Sequence, residues 1–158
     1  MGLNEEFEGE EELRGDIAEE LSQQPKHRKL AFALLSAVRM AAMRHLSDSW
    51  EPIVMEVGRQ FIKILEEAER EEIQELEDAL RMAKEYGLIG DFDVENGHAE
   101  LEDVLETLGW QERSEEGKDV CAVIKGVILE GLRREGLDVV RLEEDVHDSR
   151  VTFRWETR

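Results

Sequence analysis

The sequence predicts an α+β domain, in which helices grouped at the N-terminal end pack on a four-stranded antiparallel sheet. Residues 27–86 repeat apolar side chains at helical spacing. Two later stretches, 89–104 and 137–155, alternate apolar and polar residues around turn signals and predict hairpins. A strongly apolar helical segment, 119–135, lies between them, and we expect it to be buried on most sides. Helices ahead of antiparallel strands are typical of this class.

The length of 158 residues fits one domain with a real core. We expect residues 1–24 to be an acidic arm, in which Leu13, Ile17 and Leu21 predict a possible short helix. The single α+β domain is then residues 25–158, beginning at Pro25, which closes the arm.

The charge balance excludes some partners. The chain has 40 acidic and 20 basic residues, a formal net charge of −20, which argues against binding to nucleic acid or an anionic membrane surface. Arginine outnumbers lysine, which favours a halophilic, archaeal protein, although an acidic mesophilic protein fits equally. One cysteine excludes an intrachain disulfide and a thiolate zinc cluster. Without a signal peptide or a spanning segment, we expect a cytoplasmic protein with no membrane insertion.

Residues 27–46, HRKLAFALLSAVRMAAMRHL, predict the first strong helix. Apolar residues cover nearly all of its sides, so it must be buried on more than one side. A second subunit would provide that burial, and so would the core of the same chain. The face that we expect at an interface consists of Leu30, Leu34, Val38 and Ala41.

The next helix is expected to open at Ser47–Ser49, a cluster of residues that favour N-caps. Gly58 lies within its apolar face and predicts a close contact with a neighbouring element. The charged segment that follows continues either as one helix or as a broken pair, and Gly87 ends it.

The dipeptide Asn96-Gly97 predicts a tight hairpin between strands Ile89–Glu95 and His98–Val104. The core-facing residues are then Phe92 and Val94 on the first strand and Ala99 and Leu101 on the second. Residues 105–118 are expected to be an irregular loop or lid. In the second hairpin we expect strands 137–142 and 150–155 joined by a turn at 143–149, with Val139 and Arg141 on one face and Val140 and Leu142 on the other.

Gly126 and Gly131 interrupt the apolar 119–135 helix, where each costs about 1 kcal/mol relative to alanine. Their presence predicts the close approach of another backbone or of a ligand. Gly136 is placed to end the helix. Cys121 heads it, so the helix dipole could lower the pKa of its thiol; a small buried apolar side chain is the commoner role.

Two segments carry a resemblance to a known family, WEPIVMEVGRQFIKIL and VCAVIKGVILEGLRREGLDVVRLEE. They resemble segments of the 4-vinyl reductase-like, hydrocarbon-binding domains, which share a fold with subunits of the TRAPP vesicle-tethering complex. The likeness spans residues 28–156. Many family members carry cysteines around the last hairpin that suit a metal, whereas this hairpin has none. His147 and Asp148 are weak ligands there, so we expect neither a metal nor a cofactor.

The resemblance implies a non-enzymatic binding domain for a small hydrophobic molecule, a homodimeric sensor or regulator. Its apolar pocket would be lined by Val57, Phe61, Leu65, Phe92, Cys121, Ile124, Ile128, Phe153 and Trp155. The same side chains could simply fill the core. The alternative function is a structural or adaptor protein that uses its apolar helix as an interface. No catalytic motif is present, and Cys121 alone would support an enzyme.

Overall fold

The fold is given by a computed structural model that describes residues 19, 21–108 and 121–158. The helices are α1 (Lys26–Leu46), α2 (Trp50–Glu69), α3 (Leu76–Glu85) and α4 (Ala122–Arg134), and the strands are β1 (Asp91–Glu95), β2 (His98–Glu102), β3 (Val139–His147) and β4 (Arg150–Thr157). Short 3₁₀ turns cover Ser47–Ser49 and Leu105–Thr107. The expected α+β class is confirmed. Most of the predicted arm and of the 105–118 connection lies outside the described residues.

The four strands form one antiparallel sheet in the order β1-β2-β4-β3. The first hairpin turns at Asn96-Gly97 as predicted, and Gly97 has a φ of +85°. Both strands are two residues shorter than expected, because Ile89 and Val104 are buried outside the ladder. Ala99 and Leu101 are fully buried, and Phe92 and Val94 pack against the same core, so their predicted orientation is confirmed.

The second hairpin differs from the prediction in two ways. Its turn is only Asp148-Ser149, because His147 pairs with Arg150 and the first five residues of the predicted turn, 143–147, extend β3. A bulge shifts the register between Val139 and Arg141. One extra residue reverses the side-chain phase of a strand, so Val139 and Leu142 both pack on the core. The prediction that Val139 and Arg141 share a face was therefore wrong.

Helix α4 lies at the centre of the fold, between α2, α3 and the sheet. Ten of its thirteen residues are buried, which confirms the predicted buried helix. An added Cβ on Gly126 would lie 1.9 Å from the carbonyl oxygen of Met55, and one on Gly58 would lie 2.0 Å from that of Val123. A Cβ added to Gly131 would likewise lie 2.9 Å from the α-carbon of Leu76. The expected close approach is thus helix backbone against helix backbone.

The charged segment after α2 is a broken pair of helices. Arg70 takes a left-handed conformation, with φ +54°, and ends α2. At the start of α3 the Asp78 carboxylate accepts hydrogen bonds from the backbone N–H groups of Gln74 and Glu75, at 3.0 and 3.2 Å. Helix α2 begins at Trp50 after Ser49, whose side chain makes no capping hydrogen bond, so the N-cap expected there is not formed.

Helix α1 is the least buried of the described helices, with only Arg28, Arg39 and Ala42 buried. Leu30 and Leu34 remain 62% and 59% exposed, so the described residues do not bury the helix on more than one side. Arg28 fastens its first turn: the guanidinium donates to the carbonyl oxygen of Gly87 at 3.0 Å and to the Asp103 carboxylate at 2.5 Å. None of the described helices combines the length and apolarity needed to cross a membrane.

Candidate functional site

The structure brings eight of the nine predicted pocket residues into one apolar cluster. Its fully buried members include Cys121, Ile124, Ile128 and Phe153. The half-buried side chains packed against it include Phe61, Leu65, Phe92 and Trp155. Val57 is half-buried on α2. The cluster fills the space between the helices and the inner face of the sheet.

Two cavities lined by described residues lie elsewhere. The larger, about 470 Å³, is an open polar groove on the β3–β4 hairpin, lined by Leu142, Glu143, Glu144, Asp145, Thr152 and Arg154. The smaller, about 10 Å³, is the space of a single water molecule; it separates α1 from Glu106 and is lined by Phe32, Leu35, Ser36, Arg39 and Glu106. The predicted pocket residues line neither of them.

Cys121 is the residue before α4, and its side chain is fully buried. Burial raises the pKa of its thiol well above the usual value, and the nearby carboxylates of Glu106 and Glu144 raise it further. The suggested lowering by the helix dipole is therefore overcome by desolvation. Cys121 takes the commoner role, that of a small buried side chain.

A buried carboxylate, Glu106, holds the N-terminus of α4. Its two oxygens accept hydrogen bonds from the backbone N–H groups of Val123 at 3.0 Å and Ile124 at 2.7 Å. These donors have no partner within their own helix, and the positive end of the helix dipole favours the negative charge. Burial nevertheless raises the pKa of Glu106 to about 7, because desolvation outweighs the hydrogen bonds and the attraction of Arg39.

Sequence reasoning missed Glu106. The residue stands 17 positions before Val123, so no local capping pattern links the two. Glu144 was missed for the same reason: it accepts a hydrogen bond from the backbone N–H of Cys121 at 3.1 Å, across 23 positions. Arg39 of α1, which lines the small cavity beside Glu106, is also buried. Its guanidinium lies 4.7 Å from the centre of the Trp50 ring.

An ion-pair network closes the opposite end of α4. Arg134 donates to both oxygens of Glu66, at 2.6 and 2.9 Å, and to Glu130 at 2.7 Å. A side-chain hydrogen bond from Arg134 lowers the pKa of Glu66. This network joins the last turns of α2 and α4, and we assign it a structural role.

An apolar surface of α1 faces solvent. It consists of Leu30, Ala33, Leu34, Ala37 and Ala41, all exposed and at positions i, i+3, i+4, i+7 and i+11 of the helix; we call it the α1 stripe. Of the predicted interface residues, Leu30, Leu34 and Ala41 belong to it, whereas Val38 is half-buried against the cluster around Ala42 and Trp50. Acidic residues number 40 in the chain, yet none occurs in the 21 residues of α1.

Among the described residues, no group of three or more His, Cys, Asp or Glu side chains is arranged to hold a metal ion. His147 lies 3.2 Å from Asp145 on the exposed end of β3. No protein-family model, curated protein or solved structure matches this chain.

Proposed function

We propose that this protein is a non-enzymatic interaction protein that pairs with a second copy of itself through the α1 stripe. The observation that carries the proposal is the contrast between this surface and the rest of the chain. An acidic protein exposes carboxylates widely, but α1 has none, and between the basic residues at its two ends it exposes leucine and alanine. Exposed apolar patches of this kind mark interaction sites.

The chemistry of the stripe favours another helix as its partner. Three alanines let two helix backbones approach closely, while Leu30 and Leu34 supply apolar area to bury. A symmetric pair would place the same stripe on both sides of the contact, as in most homodimers. Ile53 and Ile64 of α2, 50% and 61% exposed, offer further apolar area on the neighbouring helix.

The test compares matched substitutions at two exposed apolar positions. Leu34→Glu places a charge in the stripe, and Val140→Glu places the same charge on β3, where the side chain is 51% exposed. Light scattering coupled to size-exclusion chromatography is expected to give a dimer for the wild type and for Val140→Glu, and a monomer for Leu34→Glu. A dimer that survives Leu34→Glu unchanged contradicts the proposed surface.

A second candidate function is the binding of a small hydrophobic molecule among the eight clustered pocket residues, which would have to move apart to admit it because they fill the space between the helices and the sheet. Native mass spectrometry of the purified protein would detect an apolar molecule retained in that cluster. Titration with the neutral dye phenylnaphthylamine is expected to give saturable fluorescence, weakened by Trp155→Ala and unchanged by Val140→Ala. The absence of both an adduct and saturable fluorescence contradicts this function.

A further inference from the structure

Glu106 is an unusual residue to find at the centre of this fold. It is 7% exposed, and both carboxylate oxygens are held by the backbone N–H groups of Val123 and Ile124. Only a cavity of about 10 Å³ separates it from Phe32, Leu35, Ser36 and Arg39, all of which lie on α1. Helix α1 thus covers this carboxyl group and leaves room beside it for about one water molecule.

We propose that the packing of α1 over the N-terminus of α4 depends on pH through Glu106. Protonation of Glu106 favours the closed state, in which α1 covers its carboxyl group. The charged and titratable groups around Glu106 come from each element packed there. Arg39 of α1 attracts the carboxylate, and Glu144 of β3 repels it. Cys121 precedes α4, with a thiol that stays protonated. Farther along α4, the ammonium of Lys125 is paired with Glu51 of α2 at 3.2 Å.

The direction of the effect follows from linkage. When α1 lifts and water reaches Glu106, its pKa returns towards the ordinary 4.5, whereas in the closed arrangement it is about 7. The closed state therefore binds the proton more tightly than the open state. Opening is least favourable below about pH 4.5 and becomes easier as the pH rises from about 4.5 to about 7. With a pKa of about 7 in the closed state and 4.5 in the open state, the equilibrium constant for opening rises ~70-fold between about pH 5 and about pH 8.

Helix α1 is the element expected to move. Within one chain it has three buried residues, whereas α4 has ten and is held at its far end by Arg134. The four cavity-lining residues of α1 face the carboxyl group directly, so lifting this helix hydrates Glu106 without disturbing the contact between α2 and α4. Regions with few buried contacts open at lower free-energy cost than the core.

Hydrogen exchange read by mass spectrometry tests the proposal, with rates corrected for the intrinsic dependence on pH. Protection of α1 amides is expected to fall ~70-fold between about pH 5 and about pH 8, while residues 126–130 of α4 stay protected. Glu106→Gln should abolish this dependence in α1. Glu102→Gln, at an exposed glutamate paired with Arg150, should retain it.

An equal loss of protection in α1 and in residues 126–130 overturns the proposal, because the whole fold would then be opening. The same pH dependence in Glu106→Gln as in the wild type also overturns it. If Glu106→Gln does not fold, carboxyl-carbon NMR of the wild type decides: a glutamate titrating near pH 7 in step with α1 exchange supports the proposal, and its absence contradicts it.

Discussion

Gly58 and Gly126 lie against each other where α2 crosses α4, and a Cβ added to Gly126 would stand 3.1 Å from the α-carbon of Gly58. The same Cβ would overlap the carbonyl oxygen of Met55, which is backbone and cannot rotate away. The two helices therefore pack at a distance that only a pair of glycines permits.

Replacing Gly126 with alanine is expected to destabilise the fold by ~3 kcal/mol or more, because the helices must separate and lose packing along their length. Within an ordinary helix the same change would stabilise by about 1 kcal/mol, so the sign of the effect is diagnostic. Chemical denaturation measures it. Gly97→Ala is the control: it meets nothing within 4 Å and should cost only about 1 kcal/mol, through its positive φ. A stabilised Gly126→Ala variant contradicts the close contact.

Removal of the Arg134 guanidinium is expected to be costly. Arg134→Met leaves Glu130, whose side chain is 1% exposed, and Glu66 without their shared partner. Arg133 still donates to both oxygens of Glu130, so the loss is that of charge-assisted hydrogen bonds, about 1.5 to 3 kcal/mol. The comparison is Arg81→Met, which breaks an ion pair with Asp78 on the surface and should cost less than about 0.5 kcal/mol. Equal losses in urea unfolding would argue against the structural role of the network.

The ion-pair network around Arg134 also makes the stability of the fold depend on pH. A hydrogen bond from Arg134 lowers the pKa of Glu66; burial acts to raise the pKa of Glu130, but bonds from Arg133 and Arg134 bring it below the ordinary 4.5. Groups with depressed pKa values stabilise the fold above about 4.5, and this contribution is lost as the pH falls below it. Melting temperatures of the wild type should therefore drop on acidification, and those of Arg134→Met should drop less. An equally steep drop in both would contradict this explanation.

Cys121 is expected to resist alkylation in the folded protein, because it is fully buried and burial raises the pKa of its thiol. Iodoacetamide at about pH 8 should modify the native chain far more slowly than the urea-unfolded chain. Intact mass measured over time gives both rates. Equal rates would show that the start of α4 is open to solvent.

The sequence predicted what depends on local pattern. Asn96-Gly97 predicted the first hairpin turn, because glycine readily takes the positive φ that this turn needs. The glycines of α4 predicted the close helix contact, because a residue without a Cβ lets another backbone approach. The phase of β3 was missed, because a bulge at Val139/Arg141 depends on pairing with β4. Glu106 and Glu144 were missed because they cap a helix from distant positions. The exposure of Leu30 and Leu34 could not be predicted from the sequence of α1, because an apolar helix predicts burial but does not show which element or subunit buries it.

Sedimentation velocity of the wild-type protein, over a range of concentrations and at low and high salt, tests the central claim that the α1 stripe pairs with a second copy. Two chains of formal charge −20 repel each other, and salt screens that repulsion. We therefore expect a monomer–dimer equilibrium that shifts towards the dimer as either concentration or salt is raised. A single monomeric species at every concentration and salt would contradict the claim.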